Sequence, residues 1–414
     1  MLFASMLTPA YAQFRMEVSG VGLSQLPIAV TNFRSEDQSP QKISEIVRAD
    51  LERTGQFLLA NTSGQVADES SRPDFSVWRQ KNTDALASGS ISRLSDGRYD
   101  VRVRLWDTVK GQDLGGKSFI VVAADMRLAA HQVADFIYEK LTGEKGVFAT
   151  RISYVTKNAG RHSLWVADSD GQGAAVLLSS QEPIISPSWS PKGNQLVYVS
   201  FESRKPVVFT QMVQISQRKA VANFKGSNSA PAWSPDGRNI AVTLSRDGGS
   251  QLYVIDSEGR GDARRLTQSN GIDTEAAYSA NGQSIYFVSD RGGSPQIYRM
   301  PANGGNAERV TFNGSYNISP APSPDGRFLA YISKIGASYK LHVLDLTSGA
   351  VSAITNTWSD ERPSFSPNSK LILFASKQDG REVLMTTTVD GKVKTKLASP
   401  GGDIREPSWG PKIY

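Results

Sequence analysis

Three histidines, His131, His162 and His342, and no cysteine are what this 414-residue chain offers for nucleophile activation or soft-metal ligation. A serine hydrolase needs a Gly-x-Ser-x-Gly elbow with a histidine partner, and that pattern does not occur. His131 falls in a segment of helical spacing, whereas His162 and His342 fall in strand-like segments, so no triad or metal set is expected from them. Asp236 and Asp325 stand in Pro-Asp-Gly turns, where a carboxylate serves the turn. Gly111, Gly115 and Gly116 lie in a hairpin context and not ahead of a helix, which sets aside a phosphate-binding loop. The chemistry left is recognition through polar and aromatic side chains on short connecting segments.

Six such segments recur: Ile184-Ile-Ser186, Ser227-Asn-Ser229, Asp273-Thr-Glu275, Tyr316-Asn-Ile-Ser319, Ser359-Asp-Glu-Arg362 and Asp403-Ile-Arg-Glu406. Each precedes a copy of one repeat, represented by Ala230-Pro-Ala-Trp-Ser-Pro-Asp-Gly237. The marker positions Ser190, Ser234, Ser279, Ser323, Ser366 and Gly410 recur every 43–45 residues, a period typical of propeller blades. After each turn the chain alternates apolar and polar residues, as in Asn239–Ser245 and Gln251–Asp256, with glycine turns between them. Four strands per repeat cannot bury both faces alone, so the repeats must stack around an axis. No inner strand precedes Ile152, and Glu406–Pro411 has an inner strand without a blade. The C-terminal tail is therefore expected to complete the first blade and close a six-bladed β-propeller over residues 146–414. The six segments then emerge as loops around the channel mouth. The candidate contact residues are Ile185, Ser186, Ser227, Asn228, Asp273, Thr274, Glu275, Tyr316, Asn317, Asp360, Glu361, Arg362, Asp403 and Arg405.

Residues 25–145 have another texture. Pro27–Phe33, Ala85–Ile91, Tyr99–Trp106 and Lys117–Val122 read as strands. Gln41–Arg53 and Arg127–Leu141 have helical spacing, the second with Leu128, Val133, Ile137 and Leu141 as its apolar stripe and Gly143 as its stop. An α/β domain is expected there. Residues 13–24 form a separate arm, in which Phe14, Met16 and Val18 alternate with Arg15 and Glu17; such a segment can add to the edge of a partner's sheet. Residues 1–12 resemble the end of a secretory signal, with Ala10-Tyr-Ala12 as a small-x-small cleavage pattern, and a true start upstream is expected. Export to the periplasm as a monomer without a membrane span is expected. The 46 basic and 40 acidic residues are spread without long like-charge runs, which sets aside nucleic acid as a partner. Lys392, Lys394 and Lys396 read as a solvated strand face.

Taken together, Pro27-Ile-Ala-Val30, His131 with Asp135, Ile137-Tyr-Glu-Lys-Leu-Thr-Gly143, Gly146-x-Phe148, Thr150-Arg-Ile-Ser-Tyr-Val155 and the six repeats resemble the TolB family of the Tol-Pal envelope system. The resemblance implies a non-enzymatic adaptor with an α/β N-terminal domain ahead of its six-bladed propeller. It also implies that the lipoprotein Pal binds at the propeller mouth and the C-terminal domain of TolA binds the arm, Phe14, Arg15, Met16, Glu17 and Val18 here. Roles in outer-membrane integrity and in constriction at cell division, with other outer-membrane proteins as further partners, come from the resemblance alone. No cofactor is expected, and the sequence leaves Ca²⁺ in the channel open. The competing readings are a secreted propeller hydrolase or lyase and a plain scaffold.

Overall fold

A computed structural model describes residues 25–215 and 217–412. The arm, with Phe14, Arg15, Met16, Glu17 and Val18, lies outside the described residues, as does the cleavage pattern. The chain divides into two compact units, one reaching Glu52 and including Gln56–Gly146, the other comprising Arg53–Gly55 and Val147 onward.

The first unit is a five-stranded sheet with helices. Its elements are β1 (Leu26–Val30), α1 (Ile43–Glu52), β2 (Phe57–Leu59), α2 (Phe75–Gln80), β3 (Ala85–Arg93), β4 (Tyr99–Asp107), β5 (Gln112–Val121) and α3 (Met126–Thr142). The sheet order is β2-β1-β3-β4-β5, parallel across β2, β1 and β3 and antiparallel from β3 to β5. Helix α1 packs against α3, while α2 sets Phe75 and Trp78 on Ala29, Leu86 and Trp106. The Asp74 carboxylate caps α2 by accepting the Ser76 N–H at 2.9 Å, and Gly143 ends α3 in the left-handed conformation at φ 74°.

Two expectations need correction here. Leu128 is 38 % exposed and lies outside the buried stripe of α3, which instead includes Met126, Ala129, Ala130, Val133, Ala134, Ile137 and Leu141. Five residues at about 100° each rotate Leu128 roughly 140° away from Val133, whereas the two alanines sit in phase with it. Strand β5 also begins at Gln112, well before Lys117. Gly115 and Gly116 mask it in sequence. Gly115 has φ 105°, next to the ladder irregularity at Leu105/Trp106, and a Cβ on Gly116 would stand 2.8 Å from the Val103 carbonyl.

The second unit holds six four-stranded sheets among the described residues. The first blade combines Arg151–Asn158, Arg161–Asp168 and Ala175–Ser180 with the C-terminal strand Asp403–Trp409 as its inner member. Trp409 pairs with Ile152 and Ser408 with Ser153, so the ring closes as expected from the repeat. The remaining blades run in chain order, each from its inner strand outward except for connecting turns. The inner strands of blades two to six are Ile184–Trp189, Asn228–Trp233, Asp273–Tyr278, Asn317–Pro322 and Glu361–Phe365. The turns match their residue types. Asp236 accepts the Ser234 hydroxyl at 2.6 Å and the Arg238 N–H at 3.0 Å, and these bonds hold its carboxyl below the usual carboxylate range. Gly237 supplies φ 71°.

Apolar side chains from neighbouring blades share cores. Val197, Val199 and Val208 of the second blade meet Ile240, Val242 and Leu244 of the third. Ile152 and Tyr154 of the first meet Leu371, Leu373 and Leu384 of the sixth around Ile404 and Trp409. Burying one such aliphatic or aromatic side chain contributes about 1.5–3 kcal/mol. The blades thereby hold a rigid frame around the axis.

Candidate functional site

The segments expected as loops around the mouth are mostly the first residues of the inner strands. Ile185, Ser186, Asn228, Asp273, Thr274, Glu275, Asn317, Glu361, Arg362, Asp403 and Arg405 lie within strands; Ser227, Tyr316 and Asp360 immediately precede them. The physical reason is a bulge near the start of every inner strand. Ser186, Ala230, Glu275, Ser319, Arg362 and Glu406 all have positive φ, between 45° and 56°, and the ladder register shifts beside each of them. A bulge leaves one residue unpaired, bends the strand and re-aims its side chain. Each such non-glycine residue costs on the order of 1 kcal/mol, and the blades bear that cost six times at one level of the channel.

The bulge sorts the candidates into two sets. Two residues before it, Asn228, Asp273, Asn317 and Asp360 are fully buried. Asn228 donates to the Phe224 and Gly226 carbonyls at 3.0 and 3.2 Å. Asp273 receives Arg291 at 2.9 and 3.0 Å and the Ser269 hydroxyl at 2.8 Å. Asn317 donates to Gln296 and to the Asn313 carbonyl. Asp360 receives Leu341 N–H and the hydroxyls of Thr355, Thr357 and Ser376. These four pin the connections between blades and present no surface to a partner, which corrects their placement at the mouth. Ser186 is buried too, its N–H donated to Glu406 at 3.1 Å.

The second set is accessible. Ile185, Thr274 and Glu361, one residue before the bulge, are half-buried, and Arg405 is exposed. Glu275 and Arg362 are bulge residues themselves. Asp403 is exposed at the start of the closing strand, Ser227 is half-buried, and Tyr316 meets Tyr339 edge to face at 6.1 Å. Beyond the bulge, Ser188, Ala232, Ala277, Ala321, Ser364 and Ser408 occupy equivalent positions and line a cavity of about 230 Å³. Small side chains at all six positions keep the axis open.

Charges meet across blades at this level. Glu406 accepts Arg362 Nε at 2.6 Å as well as the Ser186 N–H. Glu275 accepts the Ser319 N–H at 2.8 Å and its hydroxyl at 3.0 Å. Glu361 accepts the Glu406 N–H at 3.3 Å, and Arg405 is held by both oxygens of Glu382. Burial opposes the Arg362 charge, but Glu406, Glu275 and Glu361 outweigh it and raise its pKa. Burial, reinforced by the Glu406 charge, pushes Glu361 up to about 7.

That shift predicts a pH effect. The folded protein keeps the Glu361 proton to about pH 7, while an unperturbed glutamate releases it at 4.5. The resulting stabilisation is full below the lower value and is lost as pH rises through the upper one. The contribution is roughly 2 kcal/mol, reduced for partial exposure. Glu361→Gln should therefore flatten the fall in stability between about pH 5 and about pH 8, measured by urea unfolding. An identical pH profile in the variant would contradict the assignment.

Sequence reasoning missed Glu406 and Ser319 as individual ring members, although the repeat spacing marks both. Glu382 and Tyr339 come from third strands, and nothing in their spacing signals the mouth. The histidines do not converge. His131 bonds Asp50 at 2.6 Å inside the first unit, whereas His162 and His342 sit on third strands of the first and fifth blades.

Comparison with known proteins agrees with this architecture. The family model described as the TolB amino-terminal domain matches residues 14–114, and that described as the TolB beta propeller domain matches residues 138–413. The Tol-Pal system protein TolB of Polaromonas sp. strain JS666 is 65 % identical over 410 residues, covering 99 % of this chain and 96 % of its own. The protein of the same name from Bordetella pertussis is 50 % identical over 413 residues, covering 99 % and 94 %. The crystal structure of TolB from Acinetobacter baumannii superposes with a TM-score of 0.87 at 36 % identity, covering 97 % of this chain and all of that one. With both of its units matched and nearly its whole length aligned, this chain belongs to the TolB family of Tol-Pal system proteins.

Proposed function

We propose that this protein is a non-enzymatic periplasmic adaptor with two separate binding surfaces, the propeller mouth for Pal and residues 13–24 for the C-terminal domain of TolA. The observation that carries the reading is the ring of bulged inner strands. It brings Glu275 and Arg362 into the lining of one axial opening, while Ile185 packs on the core between two blades and Thr274 and Arg405 bond to Thr243 and Glu382 beside it. Binding groups on a rigid scaffold lose little entropy on association. The charged groups at the opening already have partners: Arg362 pairs with Glu406, Arg405 with Glu382, Glu275 accepts from Ser319, and Glu361 accepts the Glu406 N–H. That suits a complementary protein surface better than acid-base chemistry, which needs a poised pair around a reacting atom. The alternating apolar pattern of Phe14, Met16 and Val18 supports strand addition to TolA. The signal-like residues 1–12 support export, and no described helix is long and apolar enough to cross a membrane.

Ligand binding at either surface shifts affinity at the other only reciprocally, by the same factor. The arm and mouth are separable by truncation. Removing residues 13–24 should abolish TolA capture and spare Pal capture; loss of both, or of neither, counts against two surfaces. Turnover of a peptide or sugar by the purified chain would favour the competing enzyme reading.

A further inference from the structure

Among the described residues of the propeller unit, six large apolar side chains are exposed: Val176, Ile215, Ile272, Phe312, Ile335 and Trp358. Four of the six lie at one end of two adjacent blades. Ile272 precedes the inner strand of the fourth blade, and Phe312 lies in the connection leading to the fifth. Ile335 ends the second strand of the fifth blade, and Trp358 lies in the connection that leaves it. All stand at the end where the inner strands begin, which is the mouth end. Phe312 is 72 % exposed and Trp358 71 %.

The backbone beneath these side chains is held in place. Tyr339 N–H donates to the Trp358 carbonyl at 2.9 Å, and Lys334 N–H to the Tyr316 carbonyl at 2.9 Å. Tyr316 and Tyr339 pack edge to face. Arg309 lies over the Phe312 ring at 5.3 Å while its Nε bonds the Thr311 carbonyl at 2.6 Å. Lys334 lies over Tyr339 at 5.9 Å. The carboxylates of the same region are turned onto blade donors: Asp290 takes the Ile272 N–H at 2.7 Å, and Asp273 and Asp360 are buried. The surface is thus aromatic, with the exposed Lys334 and the half-buried Arg309 beside it and the carboxylates of Asp273, Asp290 and Asp360 engaged by blade donors.

Aromatic side chains offer a large contact area at low rotamer-entropy cost and dominate binding energies where they occur at interfaces. Clustered apolar exposure rimmed by charge marks an interaction site and not ordinary solvation. We propose that Phe312, Tyr316, Ile335, Tyr339 and Trp358 form an off-axis anchor for a protein partner whose contacting surface is apolar and edged with carboxylates. The proposal rests on the reading of the mouth as the Pal site. It adds that Pal is held to one side of the channel, on the fifth blade, with the bulge ring supplying register more than affinity. The carboxylate edge follows from Arg309 and Lys334, which would attract acids and repel a basic surface.

The test is isothermal titration of lipid-free Pal into the full chain and into three variants, Trp358→Ala, Trp358→Ala with Phe312→Ala, and Lys334→Glu. Both aromatic side chains are largely in solvent, so thermal unfolding should be unchanged and serves as the folding control. The expected losses in affinity are about tenfold or more for the single aromatic variant and about a hundredfold for the double. Lys334→Glu should weaken binding and reduce its dependence on salt. Wild-type affinity in the double variant, with Pal bound by the parent chain, overturns the anchor and leaves the mouth reading standing. No binding of Pal by the parent chain overturns the mouth reading and the anchor with it.

Discussion

Trp409→Ala is expected to destabilise the propeller by about 3–5 kcal/mol, the range for truncating a large buried aromatic. Trp409 is 6 % exposed and fills the core shared by the first and sixth blades, against Ile152, Tyr154, Leu371 and Leu373. Its ring N–H donates to Thr150 Oγ1 at 2.9 Å, and its backbone N–H to Ser364 Oγ at 2.9 Å. Among the described residues, the inner strand carrying it is the only noncontiguous member of a blade, joined to Arg151–Asn158 across the whole propeller sequence. A cavity at this position therefore loosens the closure and not merely one blade. The first blade without its inner strand would present an unpaired edge open to other chains. The loss should appear as a fall in urea midpoint, with amide exchange accelerating first in Arg151–Asp168. Trp409→Phe, which keeps most of the volume and loses the N–H bond, should cost only about 1 kcal/mol. Equal stability of Trp409→Ala and the parent would contradict closure through this strand.

Asp360→Ala should have an effect of similar size, about 3–5 kcal/mol, through the buried donors it deprives of an acceptor. The carboxylate is 2 % exposed and joins two blades. It takes the Leu341 N–H of the fifth blade at 3.1 Å and the Ser376 hydroxyl of the sixth at 2.6 Å. Thr355 and Thr357, in the connection between them, donate to it as well. Alanine would leave three hydroxyls to find other partners and the buried Leu341 N–H with Thr355 Oγ1 alone at 3.1 Å, and each unsatisfied group costs about 1–3 kcal/mol. Hydroxyls can rotate to other acceptors, so the total stays well below the sum. A drop in Tm of roughly 10 °C is expected for a domain of this size. Asp360→Asn keeps the shape and one acceptor oxygen, and should recover about half the loss. If Asp360 were instead a solvated contact residue, alanine would change stability by less than about 0.5 kcal/mol.

The contrast between these two residues shows what was legible in the sequence. Trp409 could be placed from residue spacing alone, because Pro-x-Trp repeats at blade intervals and its last copy lacks a blade. Asp360 could not. Polar residues ahead of a strand read as solvated loop, and Asn228, Asp273, Asn317 and Asp360 carry no pattern that separates a side chain bonded inward to its connection from one facing water. The bulge was hidden for a related reason: Ser186, Ala230, Glu275, Ser319, Arg362 and Glu406 share neither size nor charge, and none is the glycine that positive φ usually selects. Only the accumulated packing of each blade enforces that conformation. Helix α2 escaped notice because Phe75–Gln80 is too short for a helical period to emerge. Phe312 and Trp358 escaped notice because they stand just ahead of the segments Tyr316–Ser319 and Ser359–Arg362 that the repeat spacing marks.

One chain holding two partners on two surfaces is the central proposal. The most direct measurement is isothermal titration of lipid-free Pal, and separately of the TolA C-terminal domain, into the full chain and into a chain lacking residues 13–24. The full chain should bind each partner at one-to-one stoichiometry, and the shortened chain should still bind Pal while giving no heat with TolA. A shortened chain that binds TolA unchanged, or one that loses Pal altogether along with TolA, would contradict the division of labour between arm and mouth.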